Sequence, residues 1–462
     1  MKKKSMIFVT TWLIITSALL CGCERNGYSD FIIPEQSEST LMPVDDIYIS
    51  NNYSGIAPKK EKTLKTVHSS DGICVIDCKE SYYDITLDYT IGSYYDVGAA
   101  YAEAIKLVRE DYPAFCEGYL YENVRAVFNG MNGEYSGVLK RVESFYKSLD
   151  EEYRQEIDGF ADKMHGNSEG LKEDGVLSRD EVILMQFIPD ILRGTACSVL
   201  SADGKTTSTG DRISCRVLEW QLGSDNQICT GHSLVHVKNG DKSYVSVTYL
   251  GFMTILTAIN NDGVMISELD VGSGEKYTSE GKTSYTYALR YSLENFTTAR
   301  EAADYLTTNS ELYPYCFNAF CTDKDYACIA EIYQGDDFGK SVIRDSNTKL
   351  NKGLDWKNTD YICAVNSFAA DGNKDTLVHN AGNIIRWNRY NKLFADENNI
   401  SVDRFKELMT CEKTDNEFIR IRGAGMVHMV LADYSQNSLQ AIFTGKNGVT
   451  DSPVFIDLGN WN

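Results

Sequence analysis

The residues best placed to do chemistry are Thr195-Ala196-Cys197-Ser198-Val199-Leu200 and, a turn later, Arg216-Val217-Leu218-Glu219-Trp220. A thiol of ordinary pKa, about 8.5, is only a few per cent thiolate at neutral pH, so a nucleophilic cysteine needs a base within reach. None of the six histidines, His68, His165, His232, His236, His379 and His428, stands in a catalytic context. A cysteine that chain cleavage has made N-terminal carries its own base, because a free α-amino group has a pKa of about 7.7 to 8.0. That chemistry suits Cys197 better than a Cys–His pair does. Arg216 and Glu219, three apart on a strand, are expected to face opposite sides of it.

Further pieces follow in order. Gly92-Ser93-Tyr94-Tyr95-Asp96-Val97-Gly98 and Glu156-Ile157-Asp158-Gly159-Phe160-Ala161-Asp162 lie upstream; Asn260-Asn261-Asp262-Gly263, the run Tyr361 to Phe368 and Asn388-Arg389-Tyr390 lie downstream. Together with Cys197 this set, spanning about Leu87 to Gly448, resembles the peptidase C45 and acyltransferase family of N-terminal-nucleophile hydrolases. It is more distantly similar to choloylglycine hydrolases and acid ceramidases. The resemblance implies a four-layer αββα fold and self-cleavage between Ala196 and Cys197. It further implies an acyl-cysteine intermediate on a small N-acyl amide or peptide, with no cofactor and no metal.

The roles that the resemblance implies are specific. Cys197 is the nucleophile, Arg216 contacts its surroundings, and Glu219, where related patterns carry Asp, orients the new amine. Asn366 donates to the oxyanion, Asn260 is a further site residue, and Arg389 belongs to a charge network near the site. Asn260 has a second reading, since Asn-Asn-Asp-Gly is a strong hairpin turn in its own right.

The elements that must position these residues change character along the chain. A hairpin is expected between Val67 and Asp88, followed by helices over Tyr94 to Arg109, Val138 to Leu149, Glu151 to Met164 and, after the Ser178/Glu181 capping box, Val182 to Leu192. From Cys197 onward short strands dominate: Cys197 to Leu200, Ile213 to Trp220, Tyr244 to Leu250, Met253 to Ile259, Val264 to Leu269, Tyr315 to Cys321, Tyr326 to Tyr333, Tyr361 to Asn366, Met426 to Ala432 and Leu439 to Thr444. Helices interrupt them at Tyr285 to Leu293, from Thr298 through Tyr305, at Ile384 to Phe394 and at Val402 to Met409. Such alternation fits two packed sheets covered by helices, a layered α+β domain.

The first 22 residues read as an export signal: Lys2 to Lys4, an apolar run from Met6 to Leu20, then Cys21-Gly22-Cys23. Cys23 is the expected lipidation point, giving a lipid anchor on the extracytoplasmic face of a bacterial membrane. Residues 23–66 read as a flexible tether, 67–196 as the mainly helical part of the hydrolase, and 197–462 as its catalytic part. A formal charge of -21 argues against a nucleic-acid partner. The chain has 13 cysteines but no CxxC pair, so a structural zinc site is not expected, and buried thiols are at least as expected as disulfides. Oligomeric state is not readable from these features. Export favours hydrolysis over an acyl transfer that depends on a cytosolic acyl donor. The alternatives are an acyltransferase of the same family, an uncleaved cysteine or phospholipase B-like hydrolase, and a noncatalytic surface lipoprotein that keeps the fold.

Overall fold

The computed structural model describes residues 48–49 and 57–462, apart from 131–134, 166–168, 192–196, 272–277, 336–338, 374–380, 411, 414–420, 424 and 451. The leader, Cys23, most of the tether and Ala196 therefore lie outside the described residues.

Strands are numbered in chain order. A large sheet runs β13 (Val342–Arg344), β12 (Ala327–Ile332), β11 (Phe317–Thr322), β10 (Met265–Asp270), β9 (Thr257–Asn260), β8 (Tyr244–Tyr249), β7 (His232–Lys238), β4 (Tyr83–Asp88), β3 (Cys74–Cys78) and β2 (Lys65–His68). A smaller sheet runs β14 (Tyr361–Val365), β5 (Ser198–Ala202), β6 (Ile213–Glu219), β16 (Met426–Asp433), β17 (Ser438–Phe443) and β18 (Ile456–Asn460). Two short strands, β1 (Tyr48–Ile49) and β15 (Glu412–Lys413), pair apart from both. All these pairings are antiparallel except β4 with β7, which brings the early hairpin into the large sheet beside strands that follow Cys197.

Among the described residues eight helices cover the outer face of the large sheet: α1 (Tyr94–Val108), α2 (Tyr112–Gly130), α3 (Tyr135–Ser148), α4 (Glu151–Met164), α5 (Arg179–Gln186), α6 (Ile188–Ile191), α7 (Tyr285–Asn295) and α8 (Ala299–Thr308). They share one core with it, through Val97, Leu120, Phe160, Leu289 and Ala302 among others. On the far side α9 (Ala381–Phe394) and α10 (Val402–Thr410) pack Trp387, Tyr390, Phe405 and Leu408 against the small sheet. Between the sheets lies a third layer of side chains, including Val199 and Leu218 facing Leu256, Leu269 and Phe320. The result is the αββα layering of an α+β domain. Strands β5, β6, β10, β11 and β14 are buried along their whole length, so their apolar residues do not alternate with solvated ones, and the polar residues they carry, such as Ser201, Arg216, Ser267 and Asn318, are buried too.

Two of the quoted upstream pieces meet here. Ser93 and Asp96 form a capping box that starts α1, and Ser178 with Glu181 does the same for α5, each cap contributing about 1 kcal/mol. A Cβ on Gly98 of α1 would stand 2.0 Å from the Glu156 carbonyl oxygen, and one on Gly159 of α4 would stand 1.9 Å from that of Tyr95. The glycines let the two helix backbones touch, so the pieces form a reciprocal packing pair.

Three differences from the sequence reading are informative. The tether ends earlier than Thr66, because Lys59 bonds Phe455 and Asp457 through its main chain and Leu64 bonds Cys78. Helix α2 and strand β7 were not expected. The helix expected through Leu192 instead breaks at Phe187, where α5 gives way to the single turn of α6.

Candidate active site

The pairing registers assemble the site. Ser198 is opposite Val365 on one side and Val217 on the other, so Cys197, one residue ahead, is flanked by Asn366 and Leu218. Its side chain is fully buried in the layer between the sheets.

Arg216 faces that same layer. Its Nη2 lies 3.4 Å from Cys197 Sγ and donates to the Glu268 carbonyl at 2.9 Å. That carbonyl is available because β9 pairs with β10 only through Ser267. A guanidinium so close to a thiol favours the thiolate form. Glu219 faces the other way, as strand periodicity requires, and its carboxylate lies 3.7 Å from Arg386 Nη1. Its main-chain carbonyl accepts from the Cys197 thiol at 3.8 Å. Burial pushes the Glu219 carboxyl up to about 7 against the pull of Arg386. Burial, with neighbouring Asp270, pushes Glu268 up to about 8, and Arg216 opposes the rise.

Asn366 is fixed at both ends. Its Nδ2 donates to the Asp270 carbonyl at 2.7 Å, and its Oδ1 accepts from Arg386 Nη2 at 3.1 Å. Asn383 holds the Asn366 carbonyl at 3.0 Å.

The sequence reading missed Arg386. This guanidinium on α9 donates to the Cys197 carbonyl at 2.7 Å and to Asn383 Oδ1 at 2.6 Å, besides its contacts with Asn366 and Glu219. Arg389, the residue expected in a charge network, is buried one turn further along α9, while Arg386 donates to the Cys197 carbonyl. The available signal was Asn383 three residues before Arg386, a spacing that puts both on one helix face. Tyr390, on the same helix, bonds Ser198 through its hydroxyl at 2.8 Å.

Chains of known structure resemble this fold at a distance. A Caenorhabditis elegans N-acylethanolamine-hydrolyzing acid amidase ortholog is 14% identical, covering 51% of this chain and 92% of its own, at a TM-score of 0.36. A mutant form of the conjugated bile acid hydrolase of Clostridium perfringens is 12% identical, covering 57% and 94%, at 0.35. The penicillin V acylase of Agrobacterium tumefaciens is 13% identical, covering 57% and 86%, at 0.33. No family model and no curated protein matches the chain. The likeness is one of fold alone and does not single out peptidase C45. At these identities and scores it decides nothing by itself; the layers and the cysteine site carry the reading.

Asn260 is not brought to the cysteine. Its Nδ2 donates to the Leu293 and Phe296 carbonyls, each at 2.9 Å, and its Oδ1 accepts from the Asp262 and Val264 amides at 3.1 and 2.9 Å. Both ends of its amide thus serve the hairpin turn and the end of α7. Along β10 the turn lies four residues from Glu268 at Val264, about 13 Å at the usual rise per residue. Its turn role accounts for the residue.

Among the described residues no group of three His, Cys, Asp or Glu side chains is arranged to hold a metal. All ten described cysteines are free thiols.

Proposed function

We propose that the chain is a cysteine amidohydrolase of the N-terminal-nucleophile kind, similar to peptidase C45, cleaving a linear amide in a small N-acyl amine or peptide. The observation that carries this reading is Cys197 at the head of β5 with Arg216 Nη2 at 3.4 Å from its sulfur.

The cycle starts with the Cys197 thiol attacking the Ala196 carbonyl. The peptide bond between them breaks, the acyl group moves to sulfur and the amine is freed; water then hydrolyses the thioester. In turnover the new amine takes the thiol proton, and sulfur attacks the substrate carbonyl. The amine leaving group departs with a proton, and water releases the acid from the acyl-cysteine. Arg216 supports the thiolate, Asn366 supplies an amide donor for the oxyanion, and Arg386 and Glu219 hold the main chain and charge beside the new terminus. Export and a lipid at Cys23 belong to the same proposal, and they favour water over a cytosolic acyl donor.

Mass spectrometry after brief exposure to a panel of N-acyl amino acids and N-acyl amines tests the chemistry. An acyl adduct on the peptide that begins at Cys197, absent from Cys197→Ala, is expected. Turnover by Cys197→Ala at the wild-type rate would refute the assignment.

A further inference from the structure

The layer between the sheets holds a polar group directly behind the nucleophile. Arg216 and His428 enter it from the small sheet, and His232, Tyr249, Thr257 and Ser267 from the large one, as the alternation along β6, β16, β7, β8, β9 and β10 requires. Within this group Arg216 Nε and Nη1, both ring nitrogens of His428, His232 Nδ1, the Tyr249 hydroxyl, Thr257 Oγ1 and Ser267 Oγ are buried and have no hydrogen-bond partner. The rings are close, with Tyr249 to His428 6.2 Å and His232 to His428 6.1 Å between centroids. Ser267 stands directly opposite Thr257 and next to Glu268, whose carbonyl binds Arg216.

Buried polar atoms are almost always satisfied, and a guanidinium in a dry layer needs a counter-charge as well as acceptors. Among the described residues Arg216 forms no ion pair. The Glu268 carboxyl does not supply one, since it points from the other face of β10 toward Tyr285 of α7. His232 Nε2 is bonded to the Thr444 carbonyl at 2.9 Å, and burial beside Arg216 keeps His428 neutral. What remains is donor-rich: guanidinium N–H groups, a phenol, two hydroxyls and one imidazole N–H, with a net positive charge. Water would satisfy the hydrogen bonds but leave the guanidinium without an anionic partner whenever Cys197 is a neutral thiol.

We propose that Arg216, Tyr249, His428, Ser267 and Thr257 form a buried site for a small monovalent anion of the halide class, set behind Cys197 on the far side of the Arg216 guanidinium. The anion accepts from Nε or Nη1, leaving Nη2 on the sulfur. The site does not depend on the amidase reading, because its tests read binding.

Crystals of the full chain soaked in sodium bromide test it by anomalous scattering, together with melting temperatures in sodium chloride, bromide, gluconate and sulfate at equal ionic strength. The expected result is a bromide within hydrogen-bond distance of Arg216 and Tyr249, with a saturable rise in melting temperature in chloride and bromide alone. Tyr249→Phe should weaken the apparent halide affinity about tenfold, the loss of one bond to a charged partner. Ordered water only at this place, bromide only at the surface, or the same melting temperature in all four salts would each overturn the proposal.

Discussion

Arg216 Nη2 touches both Cys197 Sγ, at 3.4 Å, and the Glu268 carbonyl, at 2.9 Å, so one guanidinium ties the nucleophile on the small sheet to a strand of the large one. Its charge and its position are therefore separable by mutation. Arg216→Met keeps much of the bulk and removes the charge. The acid limb of the kcat/KM profile should move up by about one pH unit or more, the usual size of an opposite-charge contribution at this range. An unchanged limb would mean that Arg216 does not set the thiol's protonation.

Arg386 and Arg389 make a sharp comparison. Arg386→Gln deprives the Cys197 carbonyl and Asn366 Oδ1 of their donor and should lower turnover more than tenfold, with a drop in melting temperature. Arg389→Gln should cost several-fold less. Asn366→Ala should lower turnover by about two orders of magnitude, the loss expected for one preorganised oxyanion donor. Equal effects of the two arginine variants would remove Arg386 from its assigned place.

Much of this was legible in the sequence, for physical reasons that differ residue by residue. Cys197, Arg216 and Glu219 lie on short central strands whose period of two fixes which residue faces which layer. The early hairpin, the capped helices and the αββα order could be read from local patterns. Arg386 had only the Asn383 spacing to mark it, because helix α9 carries two arginines and the rotation that selects one comes from packing of Trp387 and Tyr390 against the small sheet. Strand β7 was hidden by His232 and His236, polar residues in a strand of which the first faces the buried polar group around Arg216. Pairing of β4 with β7 was invisible too, since it joins segments separated by six helices and two strands. Asn260 misled because a turn asparagine and a catalytic one have the same composition signal.

The Gly98 and Gly159 contact predicts a stability effect remote from the chemistry. Gly98→Ala puts a methyl 2.0 Å from the Glu156 carbonyl oxygen and forces α1 and α4 apart. The expected loss is about 3 kcal/mol in urea unfolding, at the upper end for overpacking. A change below about 0.5 kcal/mol would contradict the close approach.

Buried carboxyls, Asp190, Glu219, Glu268 and Glu156 among them, should make stability fall with rising pH. Burial raises Asp190 and Glu219 to about 7 and Glu268 to about 8, so the folded chain holds these protons more tightly than the unfolded one. Their contribution is present at low pH and is lost as pH rises through the folded values. His232, lowered to about 4 by burial, acts in the opposite sense only below about pH 6.5. Between about pH 6.5 and 8 the carboxyls act alone, with Glu268 accounting for about 2 kcal/mol. The melting temperature should fall across that window, and Glu268→Gln should flatten the fall. A rise with pH there would contradict the assigned directions.

Intact mass and N-terminal sequencing of freshly purified wild type and Cys197→Ala test the central claim most directly. The expected result is a wild-type fragment that begins at Cys197 and runs to Asn462, retained with the upstream piece because both share the core around the large sheet, and a single uncut chain for Cys197→Ala. A fully active wild-type enzyme that stays one uncut chain would contradict it.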